Sequence, residues 1–499
     1  MLTFETELKK FKHEILKNIA CLGIKDRLIK EELIKIPGII FQDDKPNYRD
    51  TVNKEKKVIL DTVKILSSNI TRNNSDEFQD ISDSDQIIYV IDEACDRCPT
   101  KKYWVTNACR GCISHKCMEV CPAKCISRVD GSAYIDDSKC KECGMCKKAC
   151  PYDAISVVGR PCRAVCPTGS ISFSKDSEDK KAIIDESLCI NCGNCMAVCP
   201  FGAIMDKSSI GQVARELSKG EKLYAIVAPA IGGQFGFKIS MDQVKTAVKK
   251  IGFVTMKEVA EGADAVTAFE SNEFVHRIKE GNKYMTSSCC PGFMKYIEIM
   301  FGSEVKNISS TVSPMIATAR YIKSKDKDAK VVFIGPCTAK KMEALRGELK
   351  GDVDYVLTFE ELYALLDAFN VDIEKCEKDV LDEGSIYGRG FAAGGGLTAA
   401  IENYIKDKNI DVDFKPVKVS GGAEVKKAMT MAKVLKIDGN FIEGMACMGG
   451  CIGGPGNLVS QLKGKPVMNK FNNESTKRSV LSNDTLEEYL KLNLERHCE

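Results

Sequence analysis

The chain has 499 residues, 44% hydrophobic and 28% charged, with a formal net charge of +2. That is globular composition, long enough for two to four domains. Its charge balance points to neither nucleic acid nor an anionic membrane surface. No apolar run reaches transmembrane length and no signal-peptide core is visible, so a cytoplasmic protein without membrane contact is the expectation. The outlier is cysteine, with 25 residues beside four histidines. Secreted disulfide scaffolds use many cysteines, but they are short and stapled for want of a core. Here seventeen of the 25 fall between Cys95 and Cys199. Reduced thiolates holding soft metal fit better. His13, His115, His276 and His497 do not pair at ligand spacing and read as surface or satisfied core residues.

Residues 1–85 are rich in Lys, Glu, Ile and Leu. KDRLIKEELIKI and KKVILDTVKILSSNI carry apolar residues at helical spacing, which predicts a small helical appendage for packing or docking. The polar stretch TRNNSDEFQDISDSD (71–85) reads as a linker.

Residues 86–208 form the cysteine-dense region. CKECGMCKKACP supplies Cys140, Cys143, Cys146 and Cys150; CINCGNCMAVCP supplies Cys189, Cys192, Cys195 and Cys199. This C-x2-C-x2-C-x3-C-P spacing is the bacterial ferredoxin signature, in which three thiolates wrap one 4Fe–4S cubane and the fourth reaches a neighbouring one. Zinc ribbons do not need the C-x3-C-P element. A third set, CRGCISHKCMEVCP, gives Cys109, Cys112, Cys117 and Cys121 with a longer central gap. A fourth is broken: Cys162 and Cys166 lie in RPCRAVCPTGS, and Cys95 and Cys98 in CDRC. Together these four would complete a further cluster, three or four in all, leaving Cys125 over. The region resembles the double-ferredoxin modules of multi-subunit redox enzymes. That likeness implies swapped fourth ligands: Cys150 for the 109 set, Cys121 for the 140 set and Cys166 for the 189 set. A simpler scheme gives Cys199 to the 140 set and Cys150 to the 189 set. The sequence leaves both open.

Residues 209–499 change pattern. YAIVAPA (224–230), VVFIGPC (331–337), DYVLT (354–358) and FIEGMAC (441–447) read as buried strands running into loops. Thr358 and Glu361 form a capping box for the helix EELYALLDAF. Strands alternating with helices predict parallel α/β sheets, whose ligands sit beyond the strands' carboxyl ends. Cys337 and Cys447 fall at such ends, and Cys451 lies within a helical turn's reach. TSSCCPGF adds the adjacent pair Cys289 and Cys290. Neighbouring thiols converge poorly on one metal, so the pair reads as one ligand and one thiol with another task. The flanking glycines Gly449, Gly450, Gly453 and Gly454 would let backbone approach a bulky cofactor.

TSSCCPGF, GPCTAKKME and EGMACMGGCIGGPG resemble, in order, the three signature motifs of FeFe hydrogenases, TSCCPxW, MPCxxKxxE and ExMACxxGCxxGGGxP. The likeness spans roughly residues 220–460 and implies a ferredoxin-like iron–sulfur module followed by a two-lobed α/β catalytic domain. It implies an H-cluster, a 4Fe–4S cubane joined to a di-iron unit with CO, cyanide and azadithiolate. By motif position Cys290, Cys337, Cys447 and Cys451 hold the cubane, Cys451 bridging to the di-iron unit. Lys340 would donate to cyanide, oriented by Glu343; an anionic ligand in a dry pocket needs such a partner. Met445, Pro229 and Ala230 would line the pocket. Cys289 would pass protons, followed by Glu270, Ser309, Glu273 and Arg277. The implied activity is reversible 2H⁺ + 2e⁻ ⇌ H₂, with a ferredoxin-type electron carrier and maturation proteins for the di-iron unit as partners. A hydrogen sensor, a non-catalytic relative used in iron–sulfur assembly and a plain polyferredoxin are the competing readings. Phe293 in place of tryptophan, Gly335 in place of methionine, Met315 in place of glutamine and the GGPG tail depart from the pattern. All four are expected in the shell around the distal iron.

Overall fold

The computed structural model describes residues 3–42, 45–67, 85–99, 101–174 and 181–496. The predicted linker at 71–85, apart from Asp85, and His497 lie outside the described residues. The N-terminal region is helical. Helix α1 (Glu7–Ile24) is capped by Thr6, whose hydroxyl accepts from Lys9 N, and α2 (Val52–Leu66) is capped likewise by Thr51; such caps satisfy amides the helix itself leaves orphaned. KDRLIKEELIKI does not form one helix. Asp26, with φ +54°, follows the end of α1, and only the turns Lys30–Leu33 and Ile36–Ile40 are helical beyond it. Helix α1 packs on α3 (Ile210–Ser218) and on the later helix Phe359–Ala368. A Cβ on Gly23 would stand 2.4 Å from Gly211 O, so α1 and α3 approach closely.

The cysteine-dense region contains four antiparallel two-stranded pairs. Strand β1 (Ile88–Val90) pairs with β8 (Ile204–Asp206), β2 (Tyr103–Val105) with β5 (Ile155–Val157), β3 (Ile126–Val129) with β4 (Ser132–Ile135), and β6 (Ile171–Phe173) with β7 (Ala182–Ile184). Strands this short bury little on their own. What apolar interior they have is built around thiols: one patch joins Tyr103, Ile126, Ile135 and Ile155 to Cys121, Cys125 and Cys146.

The C-terminal region contains two parallel sheets. The first runs β10 (Met256–Glu258), β9 (Leu223–Val227), β12 (Lys330–Gly335), β13 (Tyr355–Thr358). The second runs β11 (Met285–Thr286), β15 (Phe441–Met445), β14 (Pro416–Ser420). The capping box of Thr358 and Glu361 forms as the sequence predicts. Helix α4 (Val259–Lys279) is packed on several sides and buries most of its first half, including three acids, Glu261, Asp264 and Glu270. The fold is therefore ferredoxin-like iron–sulfur modules joined to a two-lobed α/β domain.

Candidate active site

Each segment with a candidate residue leaves the carboxyl end of a parallel strand. From the first sheet, β9 runs into Pro229 and Ala230, and β12 into Cys337. From the second, β11 runs into Cys289 and Cys290, and β15, ending at Met445, into Cys447 and Cys451. Cys290, Cys337, Cys447 and Cys451 lie within electrostatic reach of one another. Burial and the neighbouring thiols push the Cys337 thiol up to about 11 and Cys451 to about 12, and raise Cys447 well above its ordinary value. Thiols raised in this way, as Cys337, Cys447 and Cys451 are, become stable as thiolates once metal cations sit among them. The surrounding loops leave room only for backbone: a Cβ on Gly450 would meet Gly394 N at 2.5 Å, and Gly450 itself has φ +93°. Four convergent thiols beside a buried cation are a donor set suited to an iron–sulfur group.

Lys340 is buried and donates to Glu343 Oε2 at 2.7 Å and, more weakly, to Cys289 O at 3.4 Å. Burial opposes its charge, but Glu343 and the nearby sulfurs outweigh that and hold its pKa above the usual lysine value. Lys340 is thus a fixed cation beside the thiols with donor capacity to spare.

Cys289 is buried, and its thiol is raised well above its ordinary pKa by desolvation and by the nearby charge of Glu270. Glu270, on α4, is fully buried; its Oε1 accepts from Ser288 N at 3.3 Å and its Oε2 has no partner among the described residues. Desolvation, helped by the Glu273 charge, lifts its pKa to about 8. Ser309 Oγ donates to Glu273 Oε2 at 2.6 Å and stands close enough to Glu270 to stabilise its anion. Glu273 Oε1 in turn pairs with Arg277 Nη2 at 2.6 Å, where the side chains are partly exposed. Glu270, Glu273 and Arg277 share a face of α4 because they sit three and four residues apart. The structure thus brings Cys289, Glu270, Ser309, Glu273 and Arg277 into a line from the thiols to the surface.

The accessory cysteines fall into four groups. Cys117 neighbours Cys112 and Cys150, and Cys109 belongs to the same loop. Cys121, Cys140, Cys143 and Cys146 enclose a small cavity with Tyr103, and Cys125 joins them, its Sγ 3.4 Å from that of Cys121. Cys166, Cys189, Cys192 and Cys195 line a third cavity, closed by Ile171 and Ile184. Cys162 and Cys98 both neighbour Cys95 and Cys199. The broken set is therefore completed by Cys199 and not Cys166, and the simpler scheme, Cys199 to the 140 set and Cys150 to the 189 set, does not match the geometry. The two units repeat each other: Cys109 and Cys150 accept from Ala133 N and Ala154 N, and Cys95 and Cys199 from Ala182 N and Ala203 N, all at 3.3–3.4 Å. Left-handed residues recur inside the motifs, Glu142 and Gly144 in one and Asn191 and Gly193 in the other, wrapping the loop so that amides face inward. Among the described residues no three His, Cys, Asp or Glu side chains converge on a single ion. Cys192 lies within reach of Cys337 and Cys447, and Thr338 Oγ1 donates to Asn191 O at 2.7 Å, so the third cavity abuts the central thiols.

Two contributors carry no clear signal in the sequence. Arg496 returns from the far end of the chain to donate to Ser309 O at 3.0 Å, and it moderates Glu270. Glu443 is buried on β15 between Gly395 N (2.7 Å) and Thr398 N (2.8 Å), and its charge bears on Cys289. Glu443 opens the third motif, but the spacing alone assigned it nothing. The departures divide. Phe293 is fully buried with Ile190, Cys192 and Ala446, on the side facing the third cavity, and its ring fills the space above Gly444. The Phe333 ring fills the space a side chain at Gly335 would take. Met315 is buried in the main core. His13 is a core residue paired with Asp367 at 3.1 Å, and His276 lies on the surface beside Glu280.

Residues 221–455 match the family pattern "Iron only hydrogenase large subunit, C-terminal domain", residues 160–203 a 4Fe-4S dicluster domain and residues 133–156 a 4Fe-4S binding domain. The chain is 31% identical over 378 residues to the periplasmic Fe hydrogenase large subunit of Nitratidesulfovibrio vulgaris, covering 65% of this chain and 86% of that one. It is 30% identical over 305 residues to iron hydrogenase 1 of Clostridium pasteurianum, covering 51% of this chain and 53% of that one, so it spans about half the length of that relative. It is also 26% identical over 144 residues, 29% of this chain and 25% of the other, to the cytosolic Fe-S cluster assembly factor NAR1 of Kluyveromyces lactis.

Proposed function

The chain belongs to the iron-only hydrogenase family, and from that premise we propose that it catalyses reversible 2H⁺ + 2e⁻ ⇌ H₂ at an H-cluster held by Cys290, Cys337, Cys447 and Cys451. When bound, that group supplies the interconversion of protons, electrons and H₂; the protein supplies position, electrostatics and a dry pocket. Lys340, fixed by Glu343, places a buried positive charge against anionic ligands of the group. Pro229, Ala230 and Met445 wall the pocket. Cys289 keeps its proton, because burial disfavours its thiolate, and so serves as donor and acceptor instead of ligand. Glu270, with a pKa of about 8, is mostly protonated near neutrality and can both give and take a proton through its unpartnered Oε2. Ser309, Glu273 and Arg277 carry the exchange to solvent. The four groups of accessory cysteines would each hold a 4Fe–4S cluster, which would supply one-electron transfer, with Cys166, Cys189, Cys192 and Cys195 next to the central thiols.

The observation that carries this reading is the line from Cys289 to Arg277. An assembly factor, the reading suggested by the NAR1 relative, would need the cubane ligands but no route for protons. A cytoplasmic location belongs to the same proposal; no helix among the described residues is long and apolar enough to cross a membrane. The test is H₂/D⁺ exchange by protein loaded with the di-iron cofactor. Exchange above that of the unloaded protein is expected, and its absence contradicts a catalytic role.

A further inference from the structure

The two ferredoxin motifs differ in what surrounds them. Residues 188–197, LCINCGNCMA, contain no charged residue and meet the catalytic domain at Asn191 and Gly193, beside Thr338 and Pro455. Residues 139–148, KCKECGMCKK, carry four lysines against one glutamate, a local charge of +3. The structure places this second segment at the surface. Cys143 is the one exposed cysteine among the described residues, and Met145 beside it is 46% exposed. Lys141 and Lys148 are exposed around them, and Lys139 is exposed but paired with Asp136 at 3.2 Å, so Lys141 and Lys148 carry the positive edge. Lys102 closes the rim by donating to Glu142 O at 3.4 Å.

The geometry points to this lysine-rimmed face around Cys143 and Met145 as the docking site of a small acidic one-electron carrier protein of ferredoxin type. Resting on the hydrogenase reading, it names where that reading's electrons cross the protein boundary. The physical case is complementarity. A cationic rim steers an anionic partner and fixes its orientation, while an apolar centre excludes water at the contact. An exposed thiolate ligand brings the cluster as near the partner as this chain allows. The matching segment of the inner unit, buried against protein, lacks both lysines and exposure. Each encounter oxidises the carrier by one electron and reduces the cluster of Cys121, Cys140, Cys143 and Cys146 by one; two encounters supply the pair consumed per H₂.

The test is titration of a small acidic ferredoxin into the full-length protein carrying its accessory clusters, at low and moderate salt, for wild type and Lys141→Glu/Lys148→Glu. Wild type should bind, with affinity falling as salt rises. The double variant should raise Kd about tenfold or more at low salt while its cluster absorption and viologen-coupled H₂ turnover stay unchanged. Equal Kd in the two proteins, or wild-type affinity indifferent to salt, overturns the proposal. If neither protein turns over H₂ with viologen but Kd still responds to charge reversal, the hydrogenase reading fails and the docking face stands.

Discussion

The loop of Cys189, Cys192 and Cys195 and the middle of helix α4 both approach the central group of thiols, yet they are built on different terms. The loop belongs to a region of three- and four-residue strands, held together by its thiols and by amides donating to sulfur. Helix α4 is 21 residues long, and the carboxylates on its inner face are seated in the core. Electrons need only proximity between clusters, so small modules repeated along the chain suffice. Protons need an unbroken series of donors and acceptors, each within hydrogen-bond reach. The proposed proton route therefore sits on a long helix packed on several sides.

Breaking the proton side should cost most. Cys289→Ala is expected to lower H₂ turnover by about 10² or more while the loaded protein keeps its CO and cyanide infrared bands; normal turnover would dismiss Cys289 as relay. Glu270→Gln should lower turnover by a similar factor and also change stability. Glu270 has a folded pKa raised to about 8 against an ordinary 4.5. Its contribution is full below the unfolded pKa and is lost as pH rises through the folded one. Between those values the folded state holds one proton more, so stability should fall by about 1.4 kcal/mol per pH unit from this group alone. Denaturation of metal-free wild type and Glu270→Gln across pH 5–8 should show the variant's slope shallower by that amount. Equal slopes would mean that Glu270 is not protonated as described.

The electron side should be more tolerant of chemistry and less of shape. Gly193 has φ +71°, and a Cβ there would meet Pro455 Cγ at 2.6 Å and Thr338 Oγ1 at 2.7 Å. Gly193→Ala should cost about 1–3 kcal/mol and slow reduction of the central cubane by the neighbouring cluster, measured by flash reduction, with proton exchange at Cys289 untouched. Arg277→Ala should do least. The residue is partly exposed and water can take its place, so a loss of about two- to fivefold at low salt is expected. A loss as large as that of Cys289→Ala would mean that the line ends differently at the surface.

How much of this was legible follows the same division. Cysteine spacing records cage geometry locally, so the motifs, the strand-end thiols and the order of the segments could be read directly. The partners of the fourth cysteines stayed open between two schemes, because Cys199 and Cys166 exchange places through tertiary folding; only the likeness to double-ferredoxin modules offered the swapped set that the structure groups together. Glu270, Glu273 and Ser309 came only through likeness to a family; alone, a charged helix face is indistinguishable from a solvated one. Arg496 sits 187 residues from Ser309 and no local pattern announces it. Phe293 reads as a change to the catalytic pocket; its ring fills the space above Gly444 in an apolar cluster that holds Ile190 and Cys192 as well as Ala446 and packs against Cys290.

The central claim is that Cys290, Cys337, Cys447 and Cys451 hold an H-cluster beside Lys340. Infrared spectroscopy of the protein matured with the di-iron cofactor tests it most directly. CO and cyanide stretching bands are predicted, with the cyanide bands shifting in Lys340→Met. A spectrum without those bands, from protein whose accessory clusters are intact, would contradict the account.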